Sequence, residues 1–464
     1  MEHFLTDHIF LSRLQFALTT AFHIIWPVLT IGLSLFIFAA EALWLRTGDA
    51  AWYRHARFWT KFFLLAFAVG VASGVPLEFQ FGTNWSRFSA ATGNFLGGIL
   101  SVEATTGFML ESVFLYVMIA GWKRIPPRVH LFATGMVAFG ASLSAFWIMV
   151  ANSWMQTPAG GGMVDGVYHV TDRMAAIFNP DLPASFPHMW LACLTSTAFA
   201  VGGVSAWHLL RGKNAEFFLR SFKAAVLAAL VLAPLQAGTG DLSGRTVAKT
   251  QPAKLAATEA HWNTNSPDEG AAWSIIAWPD PANERNVVEL RVPYILSLLA
   301  THNPLGTVTG LKDIPRDERP PITILFYSFR IMIVTGTLMI LAAFWALWAW
   351  RTGRLAPENV GKQRRLLKLF MILAPLSFLA VWTGWIMREV GRQPWILYGQ
   401  LRTAEAATPL HPGTVGASLG GFGLVSVLLL GLFLVFSARI LRKGPDMDLT
   451  PPRRYDATDG GGRP

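Results

Sequence analysis

Charge is scarce in this sequence. Only 14% of its 464 residues are Asp, Glu, Lys or Arg, and 53% are hydrophobic, whereas a soluble globular chain carries about 25% charged residues. That shortage excludes a soluble domain with an ordinary surface and identifies an integral membrane protein. Cysteine is nearly absent too. The single Cys193 rules out an intrachain disulfide and a thiolate-held metal cluster, and within its apolar run it reads as core packing. The N-terminus lacks the basic region, short apolar core and small-residue cleavage site of a signal peptide, so the first apolar run is expected to be retained. No internal repeat is present. The net charge of +10 does not point to nucleic acid, because Lys and Arg fall in short clusters between apolar runs.

What fills the chain is a series of spans. "LQFALTTAFHIIWPVLTIGLSLFIFAA" (Leu14 to Ala40) has no formal charge and is long enough to cross a bilayer. Nine such helices are expected, at 14–43, 56–79, 94–121, 129–153, 185–210, 217–238, 322–350, 366–388 and 415–438. The fold class is therefore an all-α integral membrane bundle. Its regions are helices 1–6 (1–238), a long loop (239–320), helices 7–9 (321–445) and a disordered tail (446–464). The loops "WLRTGDAAWYRHAR", "WKRIPPR", "LRGKNAEFFLRSFK" and "WRTGRLAPENVGKQRRLLK" follow helices 1, 3, 5 and 7. Their Lys and Arg put that end in the cytoplasm, with the N-terminus outside and the C-terminus inside.

Against this apolar background a few polar residues stand out. His23 lies in the outer half of helix 1. Glu103 and Glu111 are eight apart on helix 3, which places them about 80° apart around an α-helix, with Gly107 between them leaving room for water or a flat ring. His188 opens helix 5. Arg330 and Met332 lie in the outer half of helix 7. Glu389 and Arg392 close helix 8 in "EVGRQPW". Imidazole, thioether and carboxylate are the axial ligands haem iron accepts, and a ladder of carboxylates in a membrane is typical of proton relays. Each residue alone has a structural reading: a hydrogen-bonded core histidine, a packing methionine, a snorkelling arginine, a buried neutral acid, an ion pair at a helix end. Their gathering near one depth favours the functional reading.

Seven blocks resemble subunit I of cytochrome bd-type quinol oxidases: "SRLQFALTTAFH", "EFQFGTNWS", "VEATTGFMLES", "WIMVANSWMQTP", "KLAATEAHW", "FRIM" and "GRQPW". They occur in the family's order and cover all but the last few dozen residues. The resemblance implies nine helices, an outer quinol-binding loop and three haems near the outer surface. It implies His188 and Met332 as ligands of a low-spin haem b, with Arg330 beside it. It implies His23 and Glu389 as ligands in a high-spin pair, a haem b with a haem d or a further haem b, and Trp385 packed one turn before Glu389. Arg392 would neutralise that carboxylate or a propionate. Glu103 matches an acid near the oxygen-reducing haem, and Glu111 an acid on the cytoplasmic proton path. Lys254 and Glu259 match loop residues tied to quinol oxidation, as orienting group and general base. Five apart on a helix, they should not face each other. The loop lacks a long insertion, as in the short-loop class that includes cyanide-insensitive oxidases.

The resemblance further implies a second large subunit, a small single-helix subunit, membrane lipid as surroundings, and ubiquinol or menaquinol as substrate, in a bacterial inner membrane. Two rival readings are an electron-shuttling membrane cytochrome b and a proton-coupled transporter. The first would show paired histidines on two helices about a dozen residues apart. The second would show repeats and broken helices. Neither pattern is present.

Overall fold

A computed structural model describes residues 7–452. Among the described residues, nine helices are long and apolar enough to cross a membrane: α1 (His8–Thr47), α2 (Ala50–Gly82), α3 (Ser86–Ala120), α4 (Pro127–Gln156), α5 (Leu182–Leu210), α6 (Ala215–Thr250), α7 (Ile322–Arg351), α8 (Arg364–Val390) and α9 (Pro412–Lys443). All nine expected spans are there, most of them longer than their apolar stretches. The ends follow local chemistry. Gly48 takes a left-handed φ of 78° that stops α1, and Asp49 accepts a hydrogen bond from Ala51 N (2.9 Å) to start α2. Pro127 sits in the first turn of α4, where its missing N–H leaves no bond unmade.

Two helices depart from expectation. α6 runs twelve residues past position 238, to Thr250, because nothing in that stretch breaks it: Asp241 and Arg245 pair one turn apart at 3.1 Å, and the helix stops only before Pro252. The apolar signal ended before the helix does. α3 begins at residue 86 rather than 94, and a π-helical turn, Ala104–Phe108, interrupts it.

α5 forms the centre of the bundle, packing on α6, α8, α1 and α4, while α9 lies outside against α1 and α2. The largest apolar cluster, including Trp44, Tyr53, Phe63, Phe199, Phe222 and Phe370, fills the end where the basic loops lie. The opposite end carries three antiparallel hairpins: β1–β2 (Gly161–Val164, Val167–Val170), β3–β4 (Trp273–Asp280, Arg285–Val292) and β5–β6 (Trp395–Leu397, Leu401–Arg402). The long loop is therefore structured: it holds β3–β4 and two short helices, Pro252–Glu259 and Ile295–Thr301. The expected tail is described only as far as residue 452; Arg54 Nε donates to Leu449 O at 3.2 Å, and 453–464 lie outside the described residues.

Candidate functional site

Glu389 ends α8 among donors. Asn152 Nδ2 donates to it at 2.8 Å and Gln156 Nε2 at 3.2 Å, both from α4, and Arg392 pairs with its second oxygen. Arg388 bonds Asn152 Oδ1 (2.5 Å) and the buried Asp181 (2.6 Å). Even so, a third of the Glu389 side chain remains exposed. Trp385, one turn earlier, is half-buried against the cluster around Trp85, Phe95 and Trp154.

Lys254 approaches from the loop side. Its side chain is buried, and Nζ donates to Gln156 Oε1 at 2.5 Å. Gly391 lets it pass: a Cβ there would sit 2.8 Å from Lys254 Cγ. Burial, aided by Arg388, pulls the Lys254 amine down to about 7. Glu259 points elsewhere, to Arg330 Nη2 at 2.7 Å, so the two loop residues face apart as their spacing predicts. Burial raises the Glu259 carboxyl above its ordinary value although Arg330 opposes it. Arg330 also donates to Ser274 O (3.0 Å from Nε), and its buried Nη1 has no partner.

Met332 follows Arg330 on α7, where a Cβ on Gly384 of α8 would lie 3.0 Å from its sulfur. His188 on α5 faces α6, with Gln236 Nε2 3.2 Å from Nδ1 and Gly240 so close that a Cβ would meet the ring at 3.1 Å. α6 and α8 each pack on both α5 and α7, so these four helices enclose the His188 and Met332 positions. His23 on α1 contacts Ser73 Oγ at 3.0 Å, and its ring packs so closely on Gly74 that a Cβ there would lie 3.1 Å from Cε1. Trp382 Nε1 ties α8 to Ala21 O beside it at 2.7 Å.

Glu103 accepts a 2.5 Å hydrogen bond from Ser144 on α4. Glu111 is buried, and its Cβ lies 3.1 Å from where a Cβ of Gly140 would be. Ser144 and Gly140 are one turn apart, so both acids meet the same face of α4. The expected 80° between them is therefore corrected. The π-turn takes up one extra residue, which turns eight positions into the equivalent of seven, and seven α-helical steps bring two residues within about 20°. The room expected at Gly107 is also taken: a Cβ there would be 2.9 Å from Ser144 Cα, so the glycine serves close helix approach.

The sequence reading missed Asn152, Gln156, Ser144, Arg388, Asp181 and Gln236. Asn152 and Gln156 carried a legible signal, two amides one turn apart in "WIMVANSWMQTP".

The arrangement suits a flat iron cofactor. Among the described residues no three His, Cys, Asp or Glu gather into a metal cluster; the donors come singly, as haem ligation requires. His23, His188, Met332 and Glu389 are each half-buried, glycines face three of them, and the buried Arg330 Nη1 has no hydrogen-bond partner. The fold defines a membrane-embedded helical bundle that carries donors of the types haem iron accepts.

Comparison with known proteins gives the family. Residues 11–445 match the family described as cytochrome bd terminal oxidase subunit I, and the chain belongs to it. It is 38% identical to cytochrome bd ubiquinol oxidase subunit 1 of Bacillus subtilis (strain 168) over 449 residues, 94% of each chain. It is 34% identical to cytochrome bd-II ubiquinol oxidase subunit 1 of Escherichia coli (strain K12) over 506 residues, 94% of this chain and 96% of that one. The longer alignment at an equal share of this chain means that the second relative carries insertions this chain lacks. The bd oxidase structure from Geobacillus thermodenitrificans superposes with a TM-score of 0.87 at 32% identity, covering 95% of this chain and 99% of that one. The chain is thus a haem-containing terminal oxidase subunit, a quinol:oxygen oxidoreductase, and a multi-pass bacterial membrane protein.

Proposed function

We propose that this subunit oxidises quinol, ubiquinol or menaquinol, at the hairpin end of the bundle, and that this end faces outside the cell. Oxygen is reduced to water with protons drawn from the cytoplasmic, basic end. The separation of charge comes from the opposite sidedness of those protons, without pumping. His188 and Met332 hold a low-spin haem b. His23 and Glu389 hold the high-spin pair, a haem b with a haem d or a further haem b. When bound, these groups supply the one-electron steps between quinol and oxygen.

The chain's own residues do the rest. Glu259 takes a quinol proton: burial makes it a stronger base than an ordinary carboxylate, and its tie to Arg330 loosens as it protonates. Lys254, expected to orient a quinol oxygen, is instead buried against Gln156 and acts from behind, holding it and through it Glu389. Arg392 and Arg388 keep Glu389 charged and oriented. Glu111 and Glu103, on one face, hand protons toward the hairpin end. A second large subunit and a small single-helix subunit complete the assembly, and the loop is of the short class.

The observation that carries this reading is Glu389, a carboxylate ringed by two arginines and two amides yet left partly open. A reduced-minus-oxidised visible spectrum with quinol-supported oxygen uptake tests it. Haem b bands, with or without a red haem d band, and oxygen uptake are expected. Spectra without haem bands would make the protein a transporter; b bands without oxygen uptake would make it an electron shuttle. Met332→Leu keeps volume but removes the sulfur, and should abolish the low-spin band. An unchanged band would remove Met332 from the ligand set.

A further inference from the structure

Far from the site, at the basic end of the bundle, a fully buried carboxylate meets a buried imidazole. Glu41 on α1 is 0% exposed and His130 on α4 is 2% exposed. Their contact is short: His130 Nδ1 lies 2.6 Å from Glu41 Oε1. Thr134 Oγ1 donates to the other oxygen at 2.8 Å. His130 Nε2 lies 2.9 Å from Met118 O on α3. A carbonyl oxygen cannot donate, so Nε2 carries a hydrogen. That fixes the rest. Either His130 is doubly protonated and donates from Nδ1 to a carboxylate, or it is neutral and Glu41 is protonated and donates to Nδ1. Both descriptions place one shared proton between the two groups, and the pair as a whole is neutral.

Its surroundings connect it to both sides. The Trp122 ring covers the imidazole at 4.1 Å, and Tyr53 of α2 packs on Trp122 at 5.4 Å. The Tyr53 hydroxyl is buried without a hydrogen-bond partner. The Arg57 guanidinium lies 4.8 Å over the same indole. Toward the centre, Met118 is seven residues beyond Glu111 on α3, about 10 Å along the axis. The rival role is a clamp joining α1, α3 and α4, but a buried ion pair is weak support for stability.

We infer that the Glu41–His130 pair is the proton-holding station that supplies Glu111 from the basic end of the bundle. The inference rests on the reading that Glu111 carries protons for oxygen reduction. The step balances. The shared proton leaves toward Glu111, Glu41 remains a carboxylate beside a neutral His130, and one proton from the basic end restores the pair. Glu41 and His130 act through Glu111, and touch no reacting atom.

Glu41→Gln tests this in the assembled oxidase. The amide can donate from its NH2 to His130 Nδ1 and accept from Thr134 through its carbonyl, so the hydrogen bonds survive and only the labile proton is lost. Haem spectra and anaerobic reduction by quinol should be unchanged. Proton uptake, followed with an indicator dye during oxygen reduction, should slow on the order of 100-fold. Added to Glu111→Gln, the substitution should slow uptake little further, because both act on one path. Parent-rate uptake in Glu41→Gln, or slowing that multiplies with that of Glu111→Gln, overturns the inference. So does loss of haem or fold, which would make the pair a structural clamp. A parent protein without haem bands or oxygen uptake would instead overturn the functional reading beneath it.

Discussion

Glu389 and Glu111 are carboxylates in one bundle that are held in opposite ways. Glu389 has Arg392, Asn152, Gln156 and, at 3.9 Å, Arg388 around it. Glu111 is buried with no side-chain hydrogen-bond partner among the described residues, and its ionisable neighbour is another acid, Glu103. A ring of cations and amide donors fixes the ionised form and its orientation, as a group that must bind in one position needs. A carboxyl with no fixed partner is free to gain and lose a proton and to swing. On the proposed function, the chain thus separates holding from carrying by what it places beside the same functional group.

The largest effect should come from Glu389→Gln. It leaves two arginines facing an amide, and breaking a buried pair costs about 3–5 kcal/mol; the partial exposure of Glu389 points to the lower end. Quinol oxidase activity should fall to background, a high-spin haem band should change, and thermal stability should drop. Normal spectra with only a stability loss would reduce Glu389 to a structural ion pair and erase the contrast. Glu111→Gln should slow turnover by about 100-fold, with fold stability and electron entry into the low-spin haem unchanged; Glu103→Gln should in addition disturb a high-spin band. Stopped-flow reduction and oxygen uptake separate the two phases. If Glu111→Gln costs as much stability as Glu389→Gln, the acid is structural.

A milder effect is expected at the loop. Glu259→Gln should slow quinol-supported oxygen uptake about tenfold and leave haem spectra normal, because Glu259 contributes no ligand in this reading. Loss of haem would show that the Glu259–Arg330 pair holds the low-spin site together. The smallest effect should come from Lys254→Met. The folded amine sits at about 7 and the unfolded one near 10.4, so the unfolded chain binds more protons between those values and stability rises with pH across that window. The slope is at most about 1.4 kcal/mol per pH unit. Thermal inactivation at pH 7.5 and 9.5 should show this rise in the parent and not in Lys254→Met.

Much of this was legible in the sequence, for physical reasons that differ by residue. Spans such as Leu14 to Ala40 announce themselves because lipid demands unbroken apolar runs. His23, His188, Glu389 and the α3 acids stood out because polar groups are rare against that background. Helix ends outside the bilayer did not: α6 continues to Thr250 once no apolar requirement marks it. The partners of Glu389 were hidden as well, since Asn152, Gln156 and Lys254 come from two other segments and only the folded chain joins them. Most deeply hidden was the alignment of Glu103 with Glu111, which depends on a turn no residue type specifies.

That π-turn makes the alignment of Glu103 with Glu111 a matter of chain length. The two acids share a face because α3 carries one residue more between them than an α-helix would need. Side-chain replacement within Ala104–Phe108 leaves that count untouched. Loss of one codon there would swing everything beyond it by about 100°, taking Glu111 off the face it shares with Glu103. For a gene drifting under mutation, this stretch can forgive changes of letter except at Gly107, which α4 crowds, and cannot forgive changes of number.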